Sequence, residues 1–554
     1  MQGGRVELRP GETWARLGFL FVLAAILPGT IMALPSSARA QSMRTSSLPR
    51  GSDNTREADL PLVLTPTDSQ HYRRVFSLQS DGRWAEADGE IAQLRDRLLM
   101  GAVEAQRYLH KAYRAKYPEL EQWLHHHAEE PGAKAIYALA LKRHPRGLAP
   151  PPPPMTARLP ARSLDEDADH GRARQQREAL ARSVATQGPG FAANAHWQAG
   201  LAAWRAARYD EAGWHFQQVL RVPGQSSWTI SAAAFWAARA ELRNRRPQFF
   251  NYWLGIAAQR PRTFYGLLAR RMLGLDSAVD FDSAPFTALD AQMISGTQGG
   301  RRALALLQVG EPSAAEAELR ALAPHASPTL VEALAAAAER ANMPALSLQL
   351  AALLTEGDGR HHALFPVPRW TPLGGFTVDR ALLFAVMRQE SLFAPEVESY
   401  AGAVGLMQLM PATAHAMAKR TGVPLDGDGR KPNGFALDDP EVNLALAQEY
   451  ITSLMENDRI RDNLVLIAVA YNGGPRAVQR WRTSALLHRD PLLFIESIPT
   501  QQTRVFTERV LANYWIYRQR LGQPTPDLDA LAAGQWPTYM ALDTEPDPRH
   551  AENR

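Results

Sequence analysis

The 554-residue chain contains no cysteine, which excludes disulfides, thiolate metal sites, a Cys nucleophile and a lipid anchor on an N-terminal Cys. Stability must come from packing. A surplus of charge is also missing: 61 basic and 57 acidic residues leave a net charge of +4, and no long block of like charge forms a nucleic-acid arm. Nucleic acid is therefore not an expected partner, and the small positive balance leans only mildly toward anionic material. Beyond the first forty residues no apolar run approaches the ~18 residues that a membrane-spanning helix requires. Alternating β-branched residues are scarce between 61 and 360, which argues against a sheet there.

What is present begins with Arg5 and Arg16, ahead of the apolar run Leu17–Leu27. Pro28 and Gly29 break that run, and Ala38-Arg39-Ala40 follows. The run is too short for a bilayer core of roughly 30 Å. Basic residues, a short apolar stretch and an A-x-A site read as a signal peptide over residues 1–40, with the mature chain starting near Gln41 and no membrane span after cleavage. Residues 41–60, rich in Ser, Arg, Thr and Asp, read as a flexible lead-in.

Residues 61–365 are rich in Ala, Leu, Arg, Glu and Gln at helical spacing. The expectation is an all-α domain, interrupted by the proline run at 150–154, which forbids helix and favours an extended spacer. Trp197, Gly200, Leu201, Trp204, Ala207, Tyr209, Ala212 and Phe216 form a tetratricopeptide-like helix pair, and a second pair is expected from about Ser231 to Gln259. Each pair alone would expose an apolar face. Stacking into a superhelical solenoid, or packing as an irregular bundle, would cover it. Pro366, Pro368, Pro372, Gly374 and Gly375 mark a joint, after which 366–523 reads as a separate, denser domain. Residues 524–554, rich in Pro and Asp, read as a poorly ordered polar tail.

The chemistry concentrates in 366–523. Thr377 to Ser391 predicts a helix with Thr377 as N-cap and Asp379 in its first turn. On its apolar stripe of Leu383, Val386 and Met387, the next position is Glu390. A carboxylate placed where a core residue belongs has its pKa raised by burial, and the negative end of the helix dipole acts in the same direction. That is how a glutamic acid stays protonated to act as a general acid. The alternative is a glutamate at the helix edge that reaches solvent or pairs with Arg388. Further on, Gly402 to Ala414 places Gln408 among apolar residues after two glycines. Ala470-Tyr471-Asn472-Gly473-Gly474-Pro475 closes an apolar helix. One carboxylate with neutral hydrogen-bonding groups and aromatic surface suits a sugar.

Glu390-Ser391, the Gly405 to Pro411 run, Ala470 to Gly474 and Glu496-Ser497-Ile498-Pro499, in this order over about 150 residues, resemble the soluble lytic transglycosylases of the Slt type. Tyr252-Trp253 and Thr263 to Ala269 resemble the helical partner domain of that family. The resemblance implies a helical superhelix followed by a lysozyme-like catalytic domain in the periplasm. The implied substrate is the peptidoglycan glycan strand, cleaved between N-acetylmuramic acid and N-acetylglucosamine. Glu390 takes the family's single catalytic acid position, and the products would be 1,6-anhydromuramic ends. Ser391, Gln408, Met410, Tyr471 and Asn472 fall where the family lines its glycan groove. The sequence departs from the pattern at Gln502 and Phe506, where relatives commonly carry a glutamate and a tyrosine that support groove and acid. No second acidic motif accompanies Glu390, although two-carboxylate glycosidases require one.

No spacing implies a metal or other cofactor. His125-His126-His127 occupy adjacent helical positions, which point about 100° apart and cannot converge on one ion. Glu396 and Glu398 read as a solvated turn. A goose-type lysozyme hydrolysing the same bond, and a non-catalytic wall-binding scaffold, remain alternatives at this level. The helical repeats also offer a surface on which other cell-wall enzymes could dock.

Overall fold

A computed structural model describes residues 59–543 except 155–158, 160–188, 277–278, 280, 282–284, 355–361, 426–435 and 482–488. The expected signal peptide and most of the lead-in fall outside the described residues, as do 544–554. Among the described residues the secondary structure is helical, and only three isolated β-bridges are found. No described helix is long and apolar enough to cross a membrane.

The array forms because short helices are started by local caps and then packed by their apolar faces. Thr65, Ser226, Thr263, Thr287, Thr297 and Ser327 each accept the backbone N–H three residues on, satisfying a donor that the helix itself leaves free. The helix Pro189–Arg205 pairs with Tyr209–Arg221, and Ser227–Arg243 continues the stack toward Phe250–Ala258. The predicted tetratricopeptide-like residues do the packing. Trp197 meets Phe216 at 5.3 Å between ring centroids, and Trp204 meets Trp236 of Ser227–Arg243 edge-on at 5.0 Å. Gly200 allows this approach, since a Cβ there would lie 2.7 Å from the Phe216 ring. The first helix, Pro66–Ser80, packs on Gln298–Val309, where Gln308 accepts from the Val63 and Leu64 amides and donates to Leu64 O.

The Pro/Gly joint near 366 does not interrupt the core. One apolar cluster runs from Leu201 through Leu364 and Phe365 to Leu531. Across this seam Tyr265 is fully buried. It accepts from Trp236 Nε1 at 3.0 Å and donates to Glu496 Oε1 at 2.5 Å. Arg239 lies over both the Trp204 and Trp236 rings, 4.8 and 4.4 Å from their centroids, and reaches Asp490 at 2.8 Å, while Arg205 donates to Ser497 Oγ at 3.0 Å.

Two expectations differ from the structure here. Residues 524–543 are not a loose tail. The helix Pro526–Ala532 packs against the core, Asp527 accepts from the buried Trp515 indole, and the amides of Leu542 and Asp543 donate to Asp379. Pro and Asp composition read as disorder, whereas Pro526 starts the helix and Asp527 meets a buried donor. The helix predicted from Thr377 begins at Arg380, with Asp379 at the N-cap. The Asp379 side chain does not cap its own helix. It is fully buried against Arg518 at 2.8 Å, an ion pair supplied by a distant helix.

Replacing Tyr265 with Phe keeps the ring but strands the Glu496 carboxyl and the Trp236 indole without this partner. The expected loss is about 1–3 kcal/mol, the cost of leaving buried polar groups unsatisfied. Denaturant unfolding of the full chain measures it, and an unchanged midpoint would show that the seam relaxes around the lost hydroxyl.

Candidate active site

The site is built on the helix Arg380–Glu390, whose apolar residues Leu382 to Met387 are all buried. Arg388 does not pair with Glu390. It turns back to donate to Leu364 O at 3.0 Å and Asn513 Oδ1 at 3.1 Å, with its guanidinium 4.4 Å from the Phe365 ring centroid. These contacts fix the last turn of the helix against Gln501–Arg520. Glu390 is its final residue and is part-buried. Immediately after it, Leu392 and Phe393 both have left-handed φ, 51° and 64°, which costs a non-glycine residue on the order of 1–2 kcal/mol each. Burial of the Phe393 ring holds the turn.

Among the described residues no hydrogen bond or ion pair reaches the Glu390 carboxyl. Burial alone pushes its pKa up to about 8. The neighbouring Tyr471 phenol is itself held well above its ordinary value, first by burial and then by the proximity of Glu390. Tyr471 donates to Met407 O at 2.8 Å and lies parallel to Phe506, with ring centroids 6.1 Å apart. Phe506 therefore sits behind Tyr471 as an apolar backing. Tyr450 flanks the same ring at 5.4 Å.

The Gly402–Met410 segment approaches from another side, and a buried Asn443 anchors it. Asn443 accepts from Met407 N at 2.9 Å and donates to Val404 O at 3.1 Å and Leu437 O at 2.8 Å. Gly405, at φ +82°, lies so close that a Cβ would collide with Leu437 O and the Asn443 amide. Gln408 has its Nε2 committed to this loop, donating to Val397 O and Gly405 O. Met410 is exposed.

The other expected groove residues divide. Asn472 Oδ1 accepts from Thr503 Oγ1 at 2.8 Å, and among the described residues its Nδ2 has no partner, so a donor remains for a ligand carbonyl. Ser391 is buried and back-bonds to Met387 O at 3.2 Å, which makes it a helix-end residue. Gln502 is exposed, one position before the inward-facing Thr503. Thr503 and Asn443 are structural partners of the site that the sequence reading missed. An Asn within the apolar run Val442-Asn443-Leu444 was the available signal.

Two more carboxyls, Glu496 and Glu508, are pushed up, chiefly by burial, but they face the seam. Tyr265, Arg504 and Arg205 surround Glu496, and Glu496, Arg504 and Arg509 surround Glu508. Neither contributes to the shift at Glu390. The His125–His127 run ends a helix, with His127 Nδ1 at 2.9 Å from Glu130. No metal-binding group is found among the described residues.

Residues 373–487 match the family of the transglycosylase SLT domain. The SLT domain thus contains Glu390, the 402–410 loop and Tyr471-Asn472, while Thr503 and Phe506 lie outside the matched stretch. The soluble lytic murein transglycosylase of Salmonella typhimurium is 34% identical over 149 residues, 27% of this chain and 22% of that protein. Its Escherichia coli K12 counterpart is 34% identical over 163 residues, 29% and 24% of the two chains. The chain thus spans about a quarter of the length of the curated relatives it matches. The 70 kDa soluble lytic transglycosylase from Escherichia coli shares the fold. The TM-score is 0.57 at 18% identity, covering 85% of this chain and 99% of that one. Its complex with bulgecin A gives 0.59 at 17%, with the same coverage. The helical superhelix followed by a lysozyme-like SLT domain is therefore the architecture of this chain.

A carboxyl that is protonated in the folded state up to about pH 8 and ionises near 4.5 when unfolded weakens the fold as pH rises between those values, because the unfolded chain releases the proton. Glu390→Gln removes that penalty. Its unfolding free energy is expected to exceed the wild-type value by a margin that grows from pH 5 to pH 8, on the order of a few kcal/mol at most. A margin that stays flat across this range would mean that Glu390 is not protonated in the fold.

Proposed function

We propose that this protein is an exported lytic transglycosylase that cleaves the β-1,4 bond between N-acetylmuramic acid and N-acetylglucosamine in peptidoglycan. One observation carries the reading: Glu390, within the stretch that matches the SLT domain, has no hydrogen-bond or ion-pair partner among the described residues and lies part-buried beside Tyr471, and burial pushes its pKa up to about 8. A buried acid with no ion pair is poised to give its proton to a substrate oxygen near neutral pH.

Glu390 protonates the glycosidic oxygen as the bond from the muramoyl C1 breaks, and the free sugar hydroxyl departs. The carboxylate left behind takes the proton of the muramoyl C6 hydroxyl, whose oxygen then bonds to C1. This closes the 1,6-anhydro ring and returns Glu390 to its acid form. No other charged group among the described residues perturbs Glu390, which agrees with one carboxyl serving as acid and then base. Asn472 Nδ2 supplies a donor to the bound strand, and Met410 an apolar contact. Gln408 and Ser391 act by shaping the loop and helix end, and Phe506 by backing Tyr471. Action on wall polymer places the protein in the periplasm, which agrees with the N-terminal signal pattern.

Glu390→Gln should reduce turnover on purified sacculi by about 10² or more, the scale of lost general acid catalysis, while leaving sacculus binding intact. Mass analysis of wild-type products should show anhydro ends. Reducing ends instead would assign hydrolysis, and near-normal digestion by the folded variant would remove Glu390 from the chemistry. The wild-type rate should fall as pH rises through about 8, where the acid form is lost. A pH-rate profile with no alkaline fall near that value would contradict the assignment.

A further inference from the structure

The groove holds fewer free polar groups than its residue types suggest. Gln408 spends its amide donor on its own loop, Ser391 bonds back to Met387 O, and the Tyr471 hydroxyl proton goes to Met407 O. Of the groove residues expected from the sequence, Asn472 keeps a side-chain donor free of partners among the described residues. A sugar strand, with hydroxyl and acetamido groups on every ring, offers more than one amide can engage.

Tyr450 carries a second free group. It lies on the helix Pro440–Met455, seven residues after Asn443, and seven residues turn an α-helix to within about 20° of the same line. Asn443 faces the Gly402–Met410 loop through Met407 N and Val404 O. Tyr450 therefore looks out along the same helix face two turns further on, where its ring meets Tyr471 at 5.4 Å between centroids with the planes at 53°. Gln448 pins the helix between them, accepting from Thr377 N and donating to Gly375 O. Tyr471 is the residue whose phenol responds to Glu390, so Tyr450 touches the aromatic neighbour of the acid.

The Tyr450 ring packs against the core, but its hydroxyl has no use in the fold. Among the described residues no hydrogen bond reaches it, and it is not one of the fully buried polar atoms left without a partner, so it keeps access to solvent. Burial raises the pKa of the phenol, which stays protonated and able to donate. Packing on Tyr471 does not call for a hydroxyl either, because Phe506 lies parallel to the same ring without one. A part-buried hydroxyl with no protein partner adds nothing to stability that a phenylalanine would not.

We propose that Tyr450 is a further glycan-binding residue, whose hydroxyl hydrogen-bonds a sugar oxygen of the strand lying beside Tyr471 and Asn472. The bond is made to the glycan itself and not to its peptide stems, because Tyr450 adjoins the residues placed along the sugar chain. The identity of the ligand rests on the transglycosylase reading.

Tyr450→Phe keeps the ring and removes only the hydroxyl. It is tested in the full chain with soluble glycan strands prepared with and without peptide stems. KM should rise by about 3- to 10-fold, the scale of one neutral hydrogen bond, by the same factor on both kinds of strand and with kcat largely retained. The unfolding free energy of Tyr450→Phe should equal or exceed that of wild type. With Glu390→Gln, which binds strands without cutting them, adding Tyr450→Phe should weaken the Kd for peptide-free strands by the same factor. Unchanged KM and Kd would make Tyr450 a packing residue, a loss of stability would give its hydroxyl a partner within the fold, and an effect confined to peptide-bearing strands would place it on the stem. Each of these results overturns the proposal. If the wild-type chain cleaves neither kind of strand, the transglycosylase reading fails, and equilibrium binding of peptide-free strands by wild type and Tyr450→Phe alone decides the role of the hydroxyl.

Discussion

The arrangement depends on how one buried carboxyl, Glu496, is satisfied. A carboxyl removed from water is costly unless hydrogen bonds and opposite charge replace its solvation. Its own domain supplies Arg504, but the short hydrogen bond comes from Tyr265 of the helical array, itself held by Trp236. The chain segment that carries Glu496 runs on to Thr503 and Phe506, the residues that orient Asn472 and back Tyr471. The array therefore does more than flank the SLT domain. It completes the polar shell around the element that supports the candidate groove.

Glu390 shows the opposite solution to the same cost. It too is a carboxyl partly withdrawn from water, but no described residue offers it a proton donor or a cation, so it keeps its own proton. The basic residue nearest in sequence, Arg388, is drawn away by Leu364 O, Asn513 and the Phe365 ring. Pairing at Glu390 would stabilise the ionised form and remove the acid. The fold accepts an unfavourable group at that helix end and holds it with buried contacts at both ends of the helix: Arg388 at one, and Asp379 with Arg518 at the other.

Loop rigidity follows a similar logic. Asn443 makes three hydrogen bonds in a fully buried position, so the Gly405 turn can approach more closely than any side chain would permit. Gln408 then spends its amide donor on the same loop. A residue type suited to sugar recognition serves here to shape the loop.

The sequence by itself determined the helical character, the tetratricopeptide-like pairs and the placement of Glu390 on an apolar stripe. Each of these is set by spacing along one helix, or by turn chemistry between two neighbours. It also carried the ordered motifs of the SLT domain. What only the tertiary structure decided involves partners far apart in the chain. Arg518 and the Leu542 and Asp543 amides claim Asp379, Tyr265 claims Glu496, and Asn513 claims Arg388. Residues 524–543 were misread for this reason. Local composition reports what a segment prefers in water, whereas order there comes from donors and acceptors that folding brings from the start of the acid helix and from its neighbour Gln501–Arg520.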